Sequence, residues 1–153
     1  MTSPQPASAL VTVGRLATAA GTLLLAGGAA AWFAVTTQLR DEKITVPDDA
    51  PALGGKPVQG PVSAYVEAIV IRRNAERGSG GKTFADISEE LKTVEHGSDE
   101  ERKLRGQSAA LSTAASLRTS LMTSVLAYGV SALVAGLGAF FLVTGRVFRR
   151  SDR

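Results

Sequence analysis

The chain has no cysteine, one histidine and one tryptophan among its 153 residues, and aromatic side chains make up 5% of it. Without cysteine there is no disulfide, no thiolate nucleophile and no iron–sulfur ligation. His96 is the only imidazole. Zinc sites take several His or Cys, and iron sites built from two histidines and a carboxylate need a second imidazole, so no metal or other cofactor is expected from one copy of this chain.

Charge is the next scarcity, and its absence is local. No Asp, Glu, Lys, Arg or His occurs from Leu16 to Leu39, a run of 24 residues, or from Thr119 to Gly145, a run of 27. Arg15 and Arg40 bracket the first run, and Arg118 and Arg146 the second. As helices they reach roughly 36 and 40 Å, against a hydrocarbon core of about 30 Å. A mean hydropathy of +0.11 averages these runs with a polar remainder. That remainder holds too few large apolar side chains to bury both runs in a soluble core. A cleaved signal peptide wants a basic start and a shorter apolar stretch of ~7 to 15 residues. Only Arg15 is basic in the opening segment, although Ala29 to Ala31 supply the small residues a cleavage site uses.

Lysine and arginine beside a span stay on the cytoplasmic side. Arg146, Arg149, Arg150 and Arg153, set against Asp152 alone, make a basic tail at 146–153. Two spans then bring the N-terminal segment 1–15 to the same side and export residues 40–118. Segment 41–118 carries eleven Lys or Arg and thirteen Asp or Glu, a net of −2 that does not oppose export. The net charge of +3 thus comes from the flanks. It suits a bilayer with anionic headgroups better than nucleic acid. Trp32 and Phe33 fall toward the outer end of the first span, and Phe140 and Phe141 toward the inner end of the second, where rings favour interfaces.

Ion pathways and proton relays ordinarily place an ionisable side chain inside the membrane, and neither run has one. Small residues are what the runs do contain. Ala17 and Gly21, Gly27 and Ala31, and Ala132 and Gly136 stand four apart on one helical face, where small side chains let backbones approach in lipid. They either pack the two spans together or form a docking face for another membrane protein.

The connecting segment divides by composition. Residues 41–61, DEKITVPDDAPALGGKPVQGP, hold four prolines and a Gly54-Gly55 pair that forbid a continuous helix, so an extended arm is expected. Val62, Tyr65, Val66 and Ile69 follow helical spacing after Pro61, a proline tolerated in a first turn, and predict a helix near 62–76. The β-branched Ile69, Val70 and Ile71 keep a short strand open there. Thr83 with Asp86, then Phe84, Ile87 and Leu91, predict a capped helix over 84–96. Ser98 with Glu101 repeats the capping signature and opens a helix over 98–118 that continues without proline into the second span. Gly106 is a point where it can bend.

Three features invite a chemical reading. Gly78-Ser79-Gly80-Gly81-Lys82-Thr83 ends like a phosphate-binding loop, but the position of its first required glycine is Glu76, whose carboxylate repels phosphate. No nucleotide is expected. His96 reads as a polar group at a helix C-terminus. The charged stretch Glu89 to Arg105 mixes signs at helical spacing, which is the pattern of a solvated face, and nothing beside it builds a pocket for acid–base chemistry.

The order AAAWFAVTTQLRDEKITVPDDAPALGGKPVQGP, GGKTFA, LRTSLMTSVLAYGVSALVAGLGAFFLVTG resembles a family of small two-span membrane proteins of actinobacteria and covers most of the chain. Members often carry the label of an aromatic ring-opening dioxygenase of the LigA type, which implies an oxygenase subunit. In such dioxygenases the small subunit is a soluble helical partner of a cytoplasmic large subunit that holds the iron. Two spans and an exported segment do not fit that role.

The expectation is therefore an all-α membrane protein with spans at 16–39 and 119–145 and a mostly helical extracytoplasmic segment with a Pro/Gly-rich arm. It belongs to the plasma membrane with both termini cytoplasmic. It acts without catalysis as an accessory or assembly protein for another membrane protein or complex.

Overall fold

The computed structural model describes residues 6–150, with side chains from residue 9. Arg153 and residues 1–5, part of the expected cytoplasmic flanks, lie outside the described residues. Within them the chain is all-helical: α1 spans Pro6–Asp41, α2 Pro61–Gly78, α3 Phe84–Thr93 and α4 Asp99–Arg150. The only β-type pairing among the described residues is an isolated antiparallel bridge between Thr45 and Pro57. Ile69 to Ile71 are helical, not a strand. The chain forms two compact units: Leu39–Val125 is one, and the segments before and after it make the other.

α1 and α4 are both long and apolar enough to cross a bilayer. Each extends beyond its uncharged run. α1 starts ahead of Arg15, and α4 is one helix of 52 residues from the acidic turn Asp99-Glu100-Glu101 to the basic turn Arg149-Arg150. Acidic residues at the start and basic residues at the end both complement the helix dipole. With no proline in α4, nothing removes a backbone hydrogen bond along its length.

The unit 39–125 is a small cap built around α2, α3 and the first half of α4. Its apolar core contains Val46, Val58, Ala64, Ala68, Ile87, Leu104 and Leu121, all under 5% exposed. Segment 41–61 does not run as an extended arm; it folds back on itself. Val46 N–H donates to Lys56 O at 3.0 Å, Gly55 N–H to Val46 O at 2.9 Å and Val58 N–H to Ile44 O at 2.9 Å. The prolines block a helix, but they leave Val46 and Val58 free to pair across the loop, and each becomes 1% exposed. Burial of two valines offsets the entropy of closing the loop.

Helix ends in the cap follow from named groups. Ser63 Oγ accepts from the N–H of Gln59 at 3.1 Å and of Gly60 at 3.2 Å, holding the entry to α2. Thr83 Oγ1 accepts from Asp86 N–H at 3.2 Å while the Asp86 carboxylate accepts from Thr83 N–H at 2.8 Å, a reciprocal cap on α3. α3 stops at Thr93, three residues short of the expected end, because Val94 is already extended at φ −75°, ψ 146°. His96 therefore lies in the turn to α4 and not on a helix end.

Candidate functional site

The contact between α1 and the second half of α4 is made by glycine. A Cβ placed on Gly21 would stand 2.7 Å from Gly138 O, and one on Gly138 would stand 2.5 Å from Leu25 N and 2.8 Å from Gly21 O. The same holds one heptad away on each side. A Cβ on Gly145 would meet Gly14 O at 2.7 Å, and one on Gly28 would meet Ser131 O and Ala135 N, both at 2.7 Å. Gly14, Gly21 and Gly28 thus face Gly145, Gly138 and Ser131 in antiparallel register, seven residues forward on one helix for seven back on the other. All six are buried, while most of their neighbours on both helices are exposed. Backbone meets backbone along this seam, a closeness that only hydrogen side chains and small residues permit. The seven-residue repeat is the period that keeps one seam facing its partner along two helices.

Glycine gives way to aromatics toward the end of the pair that leads to the cap in sequence. Tyr128 is 1% exposed, its ring meets Trp32 edge-on at 4.6 Å, and its hydroxyl lies 2.8 Å from Thr36 Oγ1. An aromatic pair and a hydrogen bond at one end fix the register that the glycine seam alone would let slide. Hydroxyls elsewhere on these helices turn back on their own backbone. Thr18 donates to Gly14 O at 2.7 Å, Ser131 to Ala127 O at 2.7 Å, Thr37 to Phe33 O at 2.6 Å and Thr144 to Phe140 O at 2.9 Å. Such returns satisfy the hydroxyl without water, as an apolar surrounding requires.

Of the small residues selected by four-residue spacing, Gly21 lies in this seam and Ala17 is half-buried beside it. Gly27 and Gly136 have no heavy atom of the described residues within 4 Å of the Cβ they lack, and Ala31 and Ala132 are exposed. The seam uses Gly14, Gly28, Ser131, Gly138 and Gly145 instead. Their signal was present as a heptad of small residues on each helix, partly hidden because Gly14 precedes the uncharged run. Arg146, Arg149 and Arg150 are exposed at the end of α4.

In the cap, the glycine-rich segment 78–83 closes α2 and presents no cradle. Ser79 N–H donates to Ala75 O, Gly80 N–H to Arg77 O, Gly81 N–H to Glu76 O and Lys82 N–H to Ser79 O. Thr83 N–H is held by Asp86. With each amide committed, none points outward to a phosphate. Lys82 Nζ lies 2.6 Å from Glu90 Oε2. Gly80 and Gly81 have φ of +66° and +83°, so this stop is one that glycine adopts without strain.

Two carboxylates in the cap are set apart by burial. Glu101, with a side chain 10% exposed, accepts from Gly97 N–H at 2.6 Å and from Arg105 Nη2 at 2.6 Å, and its Oε1 lies 3.4 Å from His96 Nδ1. The Gly97 amide, then Arg105, lowers its pKa to about 2. Ser98 Oγ accepts from Glu101 N–H at 3.0 Å, so the expected capping pair forms in one direction, while the carboxylate reaches past Ser98 to Gly97. Glu67 on α2 is 7% exposed and its Oε2 has no hydrogen-bond partner among the described residues. Burial pushes its carboxyl pKa up. Nothing in sequence spacing marks Glu67, because its burial depends on what α2 packs against. Among the described residues no three His, Asp or Glu converge as a metal-binding group.

Comparison with family models, curated proteins and solved structures gives no match. Fold and site together describe an all-helical chain with two long apolar helices able to span a membrane.

Proposed function

We propose that the chain is a two-span integral protein of the plasma membrane that serves, without catalysis, as an accessory or assembly subunit of a larger membrane complex. The observation that carries this reading is the lack of protein cover on its apolar helices. Only 11% of the most apolar window in α1 and 17% of that in α4 is buried. Leu16, Leu23, Phe33, Leu126, Leu133 and Phe140 are 63 to 75% exposed. A core helix of a soluble protein is covered by its own chain, whereas lipid supplies the missing cover for a span. The self-satisfied hydroxyls support the same reading. Arginines 146, 149 and 150 favour cytoplasmic termini and an external cap. Gly27, Ala31, Ala132 and Gly136, left outside the seam, offer surfaces where another span can approach.

Carbonate washing of native membranes tests the placement: the chain stays in the pellet, and release into the wash refutes it. Because the chain has no cysteine, a single Ser88→Cys reports sidedness by labelling from outside the cell. Affinity purification in mild detergent, with mass spectrometry and an iron assay, tests the role. A stoichiometric membrane partner without iron supports the accessory reading. An iron-bearing large subunit supports instead the oxygenase subunit that the family resemblance implies.

A further inference from the structure

The cap carries a pair of adjoining cavities that share two arginines. One, of about 480 Å³, has Arg72, Lys82 and Arg118 on its walls with Phe84, Leu111 and Ala114 as its apolar lining. The other, of about 230 Å³, shares Arg72 and Arg118 and is lined also by Tyr65, Ile69 and Met122. Glu76 is the only acidic side chain in either lining, against three cations. It approaches Arg72 at 3.6 Å with both partners more than half exposed, a pair that exchanges readily for another anion. Arg118 has no ion pair among the described residues.

Arg118 is also the last charge before the 27 uncharged residues of the second span. On the two-span reading, Arg118 and the cavities it lines therefore fall where that span leaves the hydrocarbon. Large apolar side chains beside Arg118 and in the smaller cavity lack cover: Leu117 is 47% exposed, Tyr65 48% and Met122 40%. In water such a patch is unfavourable, and its position beside guanidinium groups is the arrangement that matches an amphiphile with an anionic head and an apolar tail.

We infer that Arg72 and Arg118 form a headgroup site for an anionic phospholipid, with its acyl chain lying against Tyr65, Ile69 and Met122. The guanidiniums supply forked donors for the phosphate oxygens, and Lys82 adds charge at the rim. The inference rests on the two-span reading.

The test uses the full chain purified in a mild detergent and titrated with phosphatidylglycerol or phosphatidylcholine under native mass spectrometry. Phosphatidylglycerol adducts persist at higher collision energy and lower lipid concentration than phosphatidylcholine adducts. Arg118→Gln weakens that preference about fivefold, and Arg72→Gln with Arg118→Gln on the order of thirtyfold. The charge-matched control Arg73→Gln with Arg77→Gln, outside both cavities, leaves it unchanged, and circular dichroism verifies that each variant is folded. Equal retention of the two lipids, full preference in the double variant, or equal loss in the control overturns the site. Full competition by soluble glycerol 3-phosphate overturns it too, because the tail then contributes nothing. Carbonate release from native membranes is a separate failure, that of the two-span reading itself.

Discussion

Replacing Gly138 by alanine places one methyl group where the opposing helix already is. The added Cβ would lie 2.5 Å from Leu25 N, 2.8 Å from Gly21 O and 3.0 Å from Leu25 Cα, where ordinary contacts begin at 3.4 Å. These are backbone atoms of a regular helix, so no side chain can rotate away. The helices must separate by most of an ångström. A gap of that size forfeits roughly a quarter to a half of each neighbouring van der Waals well, and overpacking of this kind costs about 1–3 kcal/mol. Gly21, whose own missing Cβ points at Gly138 O at 2.7 Å, is displaced with it. Trp32 reports the movement because it is the sole tryptophan and its ring meets Tyr128 edge-on at 4.6 Å. In detergent, Gly138→Ala is expected to shift Trp32 emission and to lower the unfolding midpoint. Gly136→Ala, two residues away with nothing within 4 Å of its added Cβ, is expected to change neither. Equal behaviour of the two variants, or a perturbation by Gly136→Ala alone, would refute the glycine seam as the contact that pairs these helices.

Other consequences concern the cap. Gly106→Ala, at an interior helical position where the added Cβ has no described heavy atom within 4 Å, is expected to raise thermal stability by about 0.5–1 kcal/mol, and destabilisation would mean that the helix needs its flexibility there. Thr83→Ala removes one half of the reciprocal cap on α3 and should cost about 1 kcal/mol in chemical denaturation. Glu67 and Glu101 should give opposite pH dependences. Because burial raises the Glu67 pKa, its favourable contribution is full below its unfolded value and is lost as pH rises through the folded one. Glu67→Gln should flatten that part of the profile and match or exceed the parent near neutral pH. For Glu101, lowered to about 2, the contribution is present above its unfolded value and lost as pH falls toward 2. Glu101→Gln should therefore remove acid sensitivity and speed hydrogen exchange at Gly97, and an unchanged Gly97 rate would refute the bond.

Charge spacing made the two long helices legible, since an uncharged run of 24 or 27 residues is a local property of the sequence. The caps at Thr83 and Ser98 were legible for the same reason. What escaped was non-local. Val46 and Val58, separated by prolines, fall in the segment expected as an extended arm, and both are buried because the loop closes on itself. On α1 the four-residue spacing picked out Gly21 but not Gly14 or Gly28, because it selects a face of one helix, while the seam is chosen by two helices at once. Gly27 satisfies the first criterion and Gly28 the second. Val94 ended α3 early by a backbone choice that Leu91 and Lys92 do not signal. Only tertiary packing distinguishes Glu67 from Glu76 on the same helix.

The glycine seam also shapes how the gene can drift. Any amino acid that replaces glycine brings at least a Cβ, and at Gly14, Gly21, Gly28, Gly138 and Gly145 that atom would meet the opposing helix within 3.0 Å. Drift at these positions is therefore confined to synonymous codons. Gly27, Gly129 and Gly136, with open space around them, can wander freely as far as this helix pair is concerned. Constraint at these latter three among living variants would therefore register a contact that the described residues of a single copy do not make.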